Sequence, residues 1–343
     1  MVQLLGLVLL SFFVISILLV PYINLLYKIK FIRQKQKTRD IFEALTPIFD
    51  RLHGHKIGTP VGGGALIILV VTILYLTVAN LTPLLGITRT SVYPLDKEIK
   101  ILLFTFLAFG ALGAYDDIRK TFNFKKQDFW GLRFRYKFAA QWIIALAISA
   151  FLYFDLGIDI VNVRFFDIAH LGVLYIPFAA FTIVSFTNAV NISDGLDGLA
   201  SGLLLISITA FLVMSSSILD TTLSTFLGLW VGSLIAFLYF NVWPARIMLG
   251  DVGALSFGAT LAVCGLLLGK PIALGIIGGI FIVEVASSLI QILSKKIRKK
   301  RIFEVAPLHL WLQHKGWEEP KIVFRFWLAQ LVFAIFGLWL AFF

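Results

Sequence analysis

The stretch LGVLYIPFAAFTIVSFTNAVNISDGLDGLASGLLLISITAFLVMSSS, residues 171–217, decides how the chain is read. It holds two long apolar runs, 171–189 and 198–217, with almost no spacer between them. A bilayer core takes about 20 apolar residues as helix, so each run can cross a membrane. At the junction lie Asn188, Asn191, Asp194 and Asp197, and no Lys or Arg sits among them. Carboxylates at membrane depth are costly and usually functional. The same stretch therefore predicts both a membrane fold and the place to look for chemistry.

The rest of the chain agrees. Of its 343 residues 59% are hydrophobic and 14% charged, against about 25% charged in a soluble domain. That excludes a soluble globule and a disordered chain. One Cys excludes a disulfide framework and a Cys-based zinc site. The net charge of +11, in a membrane protein, points to orientation and to anionic headgroups or substrates, not to nucleic acid.

Ten apolar runs are predicted as spans: 3–27, 62–82, 99–115, 138–155, 171–189, 198–217, 222–240, 253–269, 272–293 and 322–343. The fold class is an all-α integral membrane protein, one polytopic domain over 1–343. The first run lacks the charged n-region and small-residue cleavage site of a signal peptide. The runs do not alternate, which argues against a strand barrel. Segments 28–60, 116–137, 241–252 and 294–325 carry 25 of the 30 Lys and Arg. The positive-inside rule makes them cytoplasmic and places both termini outside.

The dense polar motifs fall on that cytoplasmic side. His53–Gly64 reads HGHKIGTPVGGG, where Gly permits close backbone approach and Lys56 offers a point charge for phosphate; a flexible loop feeding a helix is the plainer alternative. Asp116 and Asp117 are adjacent carboxylates that repel one another and favour a metal or cation. Lys120, Lys125, Lys126, Arg133, Arg135 and Lys137 follow, either meeting a substrate or anchoring to lipid headgroups. Asn188, Asn191, Asp194 and Asp197 are three apart and share a face on a helical turn. Ser193 or Asp194 as the cap of the next helix explains one acid, not both. Asp251, between Gly250 and Gly253, suits a metal carboxylate near phosphate, or an N-cap. His309 and His314 are candidates in the last cytoplasmic loop, and Glu284 is expected to make a polar contact between helices. Hard-oxygen carboxylates suit Mg²⁺, and Mg²⁺ with cations suits phosphoryl transfer.

In their order and spacing these motifs resemble the polyprenyl-phosphate N-acetylhexosamine-1-phosphate transferase superfamily. The matching runs are Lys-x-Gly-Thr-Pro-x-x-Gly-Gly at 56–64, Asp-Asp-x-x-Lys at 116–120, Asn-x-x-Asp-Gly-Leu-Asp-Gly-Leu at 191–199, and Asn-x-x-Pro-Ala with Gly-Asp-x-Gly in 241–253. Glu284-x-x-Ser-x-x-x-Gln291, Pro307-x-His309, Lys315-Gly-Trp-x-Glu319 and Arg325-Phe-Trp327 resemble the phospho-N-acetylmuramoyl-pentapeptide transferase branch more closely. The resemblance covers about Lys37 to Trp327.

That resemblance implies ten helices in the bacterial cytoplasmic membrane. It implies transfer of phospho-MurNAc-pentapeptide from UDP-MurNAc-pentapeptide to undecaprenyl phosphate, giving lipid I and UMP. It implies Mg²⁺ on Asp251, with Asp116 and Asp117 at the lipid phosphate as base or positioning group. Lys56, Lys120, Asn191, Asp194, Asp197, Asn241, Met248 and His309 would bind substrate, and a homodimer is the implied assembly. Three positions depart from the pattern. His309-Leu310-Trp311 stands for three consecutive His, Met248 for a Phe expected to stack on uracil, and Val61 for a Thr. The competing readings are a sister enzyme using UDP-GlcNAc or a related UDP-sugar, a secondary transporter, and an inactive homologue.

Overall fold

The computed structural model describes residues 2–33, 46–84, 86, 88–122, 134–162 and 169–342. Lys35, Lys37, Arg39, Lys125, Lys126 and Arg133, counted among the loop charges above, lie outside the described residues, as does Arg164. The apolar runs become helix because a segment in hydrocarbon must satisfy its backbone internally. The helices are α1 (Val2–Lys28), α2 (Pro47–Leu52), α3 (Gly63–Leu84), α4 (Leu95–Phe122), α5 (Phe134–Ala150), α6 (Tyr175–Ser193), α7 (Leu199–Ser217), α8 (Thr221–Asn241), α9 (Gly250–Leu267), α10 (Pro271–Ile277), α11 (Gly279–Arg298), α12 (Leu308–His314) and α13 (Glu319–Phe342). Among the described residues nine are long and apolar enough to cross a membrane, and the bent pair α10 and α11 makes a possible tenth. The only strands among them are a two-residue antiparallel pair, Ile160–Val161 with Ala169–His170. The chain is thus an all-α, multi-pass membrane protein.

One expectation is corrected. Run 272–293 does not form a single helix: it breaks at Gly278, and its two parts meet at 80°. Phe186 and Phe333 pack directly on the break. A Cβ at Gly278 would come within 2.5 Å of the Phe186 ring, and one at Gly279 within 2.7 Å of the Phe333 ring. The two glycines admit aromatic rings against bare backbone.

The core is organised around α9, which is buried along nearly its whole length. α4 and α6 flank it, and α8 packs between α1 and α7. Phe106, Phe226, Trp230 and Phe257 knot α4, α8 and α9 together, with ring centroids 5.2–5.9 Å apart. Such pairs contribute about 0.5–1.5 kcal/mol each beyond burial. Small residues bring the backbones close where α9 begins. Gly113 of α4 lies against the Asp251 carbonyl, and Gly64 of α3 against Gly253, each leaving no room for a Cβ. Packing therefore draws α3, α4 and α9 together at the one end that carries the carboxylates.

Candidate active site

The N-terminus of α9 is the centre of the site. Gly250 adopts φ +78°, and Asp251 enters the first turn. Asp251 does not cap its own helix. Asp117 does so from α4: its Oδ1 accepts from the Asp251 N–H at 3.2 Å and its Oδ2 from the Val252 N–H at 3.0 Å. A helix start leaves such amides unpaired and partly positive, so a buried carboxylate is well placed there. Asp116 lies about 100° further round the same helix and faces elsewhere. Its Oδ2 pairs with Lys120 Nζ and Lys137 Nζ, both at 3.0 Å. The same two amines reach Asp251 Oδ2, Lys120 at 2.7 Å. Asn191 Nδ2 donates to Asp251 Oδ1 at 3.1 Å. The result is two carboxylates bridged by two ammonium groups. Asp116 is buried, while the Lys120 side chain is 35% exposed and opens the group to the outside.

A second part is the turn between α6 and α7. Asp194 terminates α6, and Gly198, at φ +77°, starts α7. Neither Ser193 nor Asp194 caps α7, so that alternative reading of the motif is set aside. The turn is gripped from several directions. His53 Nε2 and Lys56 Nζ donate to the Gly195 carbonyl at 2.9 and 3.0 Å. Lys56 Nζ also pairs with Asp197 Oδ1 at 2.7 Å and Glu319 Oε1 at 2.6 Å. The Asp197 N–H donates to Glu319 Oε1 at 2.6 Å, and the Ala245 N–H to Asp197 Oδ2 at 2.9 Å. Trp327 Nε1 donates to the Gly198 carbonyl at 3.2 Å.

These bonds consume Asp197 and leave Asp194. The Asp194 carboxylate is half-buried and makes no hydrogen bond or ion pair among the described residues. Burial first, then the Asp251 carboxylate, push it well above the ordinary carboxylate range; Lys56 and Arg33 pull the other way. It is an acid in need of a cation.

The third part is a polar stripe on α11. Glu284 Oε2 lies 2.7 Å from His309 Nδ1, and Oε1 accepts the His309 N–H at 3.1 Å. Ser287 Oγ accepts from the Leu308 N–H at 3.0 Å. Gln291 Oε1 accepts from the N–H groups of Ile302 and Phe303 at 3.1 and 3.0 Å. Ser294 Oγ donates to the Lys300 carbonyl at 2.8 Å. The stripe holds residues 300–309 on α11 and sets His309 against Gly195, where a Cβ would overlap the ring. The polar contact expected of Glu284 is this one. His314 sits apart, 3.6 Å from Glu304. Leu310 is buried, and Trp311 packs edge-on to Phe303 at 6.3 Å.

A family described as Glycosyl transferase family 4 matches residues 99–269. Phospho-N-acetylmuramoyl-pentapeptide-transferases of Rickettsia felis and Rickettsia canadensis are each 37% identical over 330 residues, 90% of this chain and 86% of theirs. That of Rickettsia montanensis is 36% identical over the same shares. The chain belongs to the phospho-N-acetylmuramoyl-pentapeptide-transferase family.

Of the residues that the family resemblance singles out, Asp116, Asp117, Lys120, Asn191 and Asp251 converge, with Asp194 beside them. His309 stands at the edge of the Asp194 turn. Lys56 and Asp197 are turned into the buried triad with Glu319. Asn241 is buried, accepting from Ser201 Oγ and donating to the Ile247 carbonyl at 2.9 Å. Met248 is 5% exposed, and its backbone pairs with Pro60 and Gly63 at 2.8 and 2.9 Å. Asn241, Met248 and the Gly62–Gly64 run thus build the floor under α9. Lys137 and Glu319 carry more of the site than sequence reasoning assigned them. Lys137 was one of many loop cations. Its signal is Gln141, one turn on, which accepts from Asn188 Nδ2 at 2.7 Å, so residues 137 and 141 of α5 face 188 and 191 of α6.

Among the described residues no three His, Cys, Asp or Glu form a ready-made metal cage. Mg²⁺ does not require one. It takes one or two carboxylates and completes its shell with water and substrate phosphate. Asp251 and the unpartnered Asp194 are oxygen donors of that kind, and the site fits a hard divalent cation.

Proposed function

We propose that the protein transfers phospho-MurNAc-pentapeptide from UDP-MurNAc-pentapeptide to undecaprenyl phosphate, forming lipid I and releasing UMP. The observation that carries this reading is the Asp116–Asp251 pair bridged by Lys120 and Lys137 at one end of a membrane bundle. The charge bias of the loops supports a cytoplasmic placement for that end and for both substrates' phosphates. A bacterial inner membrane follows from the same reading.

In the transfer, an oxygen of the lipid phosphate forms a bond to the phosphorus that bears the sugar. The bond from that phosphorus to the UMP oxygen breaks, and the electron pair leaves with UMP. Positioning and charge neutralisation carry most of such a reaction. Lys120 and Lys137 would hold phosphate oxygens close while Asp116 positions the lipid phosphate or accepts its proton. Asp117 would hold the start of α9, and with it Asp251, in place. Asn191 would orient Asp251. His309, set by Glu284, and the clamped turn would line the nucleotide side. Mg²⁺, held by Asp251 with Asp194 near, would supply neutralisation of the pyrophosphate charge.

UMP release by purified protein with Mg²⁺ and undecaprenyl phosphate tests the reading. UDP-MurNAc-pentapeptide is expected to support it and UDP-GlcNAc is not. Release with UDP-GlcNAc alone would move the substrate assignment, and release with neither would reject the reaction.

A further inference from the structure

Gln330 lies within α13 with no exposed surface. Both ends of its amide meet the break between α10 and α11. Nε2 donates to the Ile277 carbonyl at 2.5 Å and to Ser207 Oγ at 2.7 Å. Oε1 accepts from the Ile280 N–H at 3.1 Å. A helix break frees carbonyls on one side and amides on the other, and in hydrocarbon no water is at hand to take them. Gln330 takes one of each. Two neighbours on the same face of α13 complete the fit. Phe333 lies on Gly279, and Gly337 lets Ile277 close to where a Cβ would meet it at 2.5 Å.

The bend has a consequence at the site. α11 leaves it carrying Glu284, Ser287, Gln291 and Ser294, and these four hold residues 300–309 and the His309 ring. A change in the direction of α11 moves all of them together. We propose that Gln330 is a positioning residue for the transfer reaction, fixing the α10–α11 bend and through it His309. The activity part of this inference rests on the function proposed above; the bend does not.

The test is a distance measured together with kinetics. Spin labels go on cysteines replacing Ile297 and Tyr239, both largely exposed, in a Cys264→Ala background. From Gly279 to Ile297, α11 is about 27 Å long, so a relaxation of roughly 20° moves its tip by roughly 9 Å. Gln330→Met is expected to shift or broaden the distance distribution by several ångströms. It is expected to lower kcat/KM for the nucleotide by about 10–100-fold, because the His309 it positions lines the nucleotide side. Gln330→Glu, which when protonated keeps an acceptor and a donor, is expected to restore both. If Gln330→Met does not yield folded protein, Gln330→Asn carries the same expectation, because it is too short to reach both sides of the break. An unchanged distance distribution overturns the proposal, and so does a shifted one with unchanged kcat/KM for the nucleotide. The distance needs no substrate, so an inactive parent protein would count against the proposed reaction and not against the bend.

Discussion

Replacing Lys56 by Met removes one charge from a buried triad and keeps the side-chain length. Lys56, Asp197 and Glu319 are 2%, 4% and 5% exposed, with Nζ 2.7 and 2.6 Å from the two carboxylates. Removing the cation leaves two buried acids facing one another. Loss of one partner from a buried ion pair costs about 3–5 kcal/mol. At about 2 °C per kcal/mol for a long chain, the thermal midpoint is expected to fall by roughly 6–10 °C, measured in detergent by tryptophan fluorescence. The Gly195 carbonyl loses a donor as well, so the turn bearing Asp194 loosens and kcat falls. Lys56→Met with Asp197→Asn and Glu319→Gln removes the charge imbalance and is expected to recover most of the midpoint but not the turnover. The opposite result would refute the clamp: an unmoved midpoint with only a raised nucleotide KM, which is what a lysine reaching out to a phosphate would give.

Asp251→Asn keeps the acceptor for Asn191 but leaves Lys120 and Lys137 with Asp116 as their carboxylate partner; UMP release is expected to vanish, and the midpoint to fall by less than in Lys56→Met because the Lys120 side chain is 35% exposed and screened. Asp194→Asn is expected to be more stable than the parent at pH 8 in EDTA and equal to it near pH 4. The Asp194 carboxyl is raised in the fold, so the folded state holds its proton longer than the unfolded one, and stability is lost as pH rises above the ordinary carboxylate value of about 4. Equal midpoints at both pH values would remove the uncompensated charge from the account. Gly113→Ala places a methyl on the Asp251 carbonyl and is expected to cost about 1–3 kcal/mol and most of the activity, read as midpoint and initial rate.

The spans were legible because hydropathy integrates over a whole run. The break at Gly278 was not, since two glycines inside an apolar run change the sum little, and the groups that meet it, Phe186, Gln330 and Phe333, are distant in sequence. Asp116 and Asp117 were legible as a pair. Their division of labour was not, because neighbours on a helix point about 100° apart and which one meets α9 depends on packing at Gly113. Asp194 and Asp197 show the same limit from another side. Spacing placed both on one helical face, whereas α6 ends at Ser193 and the turn sends Asp197 to Lys56 and Asp194 toward Asp251. A motif names polar residues that belong together. It does not say which of them bind substrate and which bind one another.

The grip on the 194–198 turn also has an order in time. Gly195 and Asp197 are held by His53 and Lys56, already made when the turn leaves the ribosome, but Asp197 is also held by Glu319 and Gly198 by Trp327, more than a hundred residues later. At about 5–20 residues per second, the turn waits roughly 6–25 s for its last two partners. A nascent chain that already contains every aspartate of the site therefore still lacks the clasp that shapes it. An interrupted product ending before α13 would carry every aspartate of the site with Lys56 and Asp197 short of their third member, Glu319, and so be inert at the membrane surface.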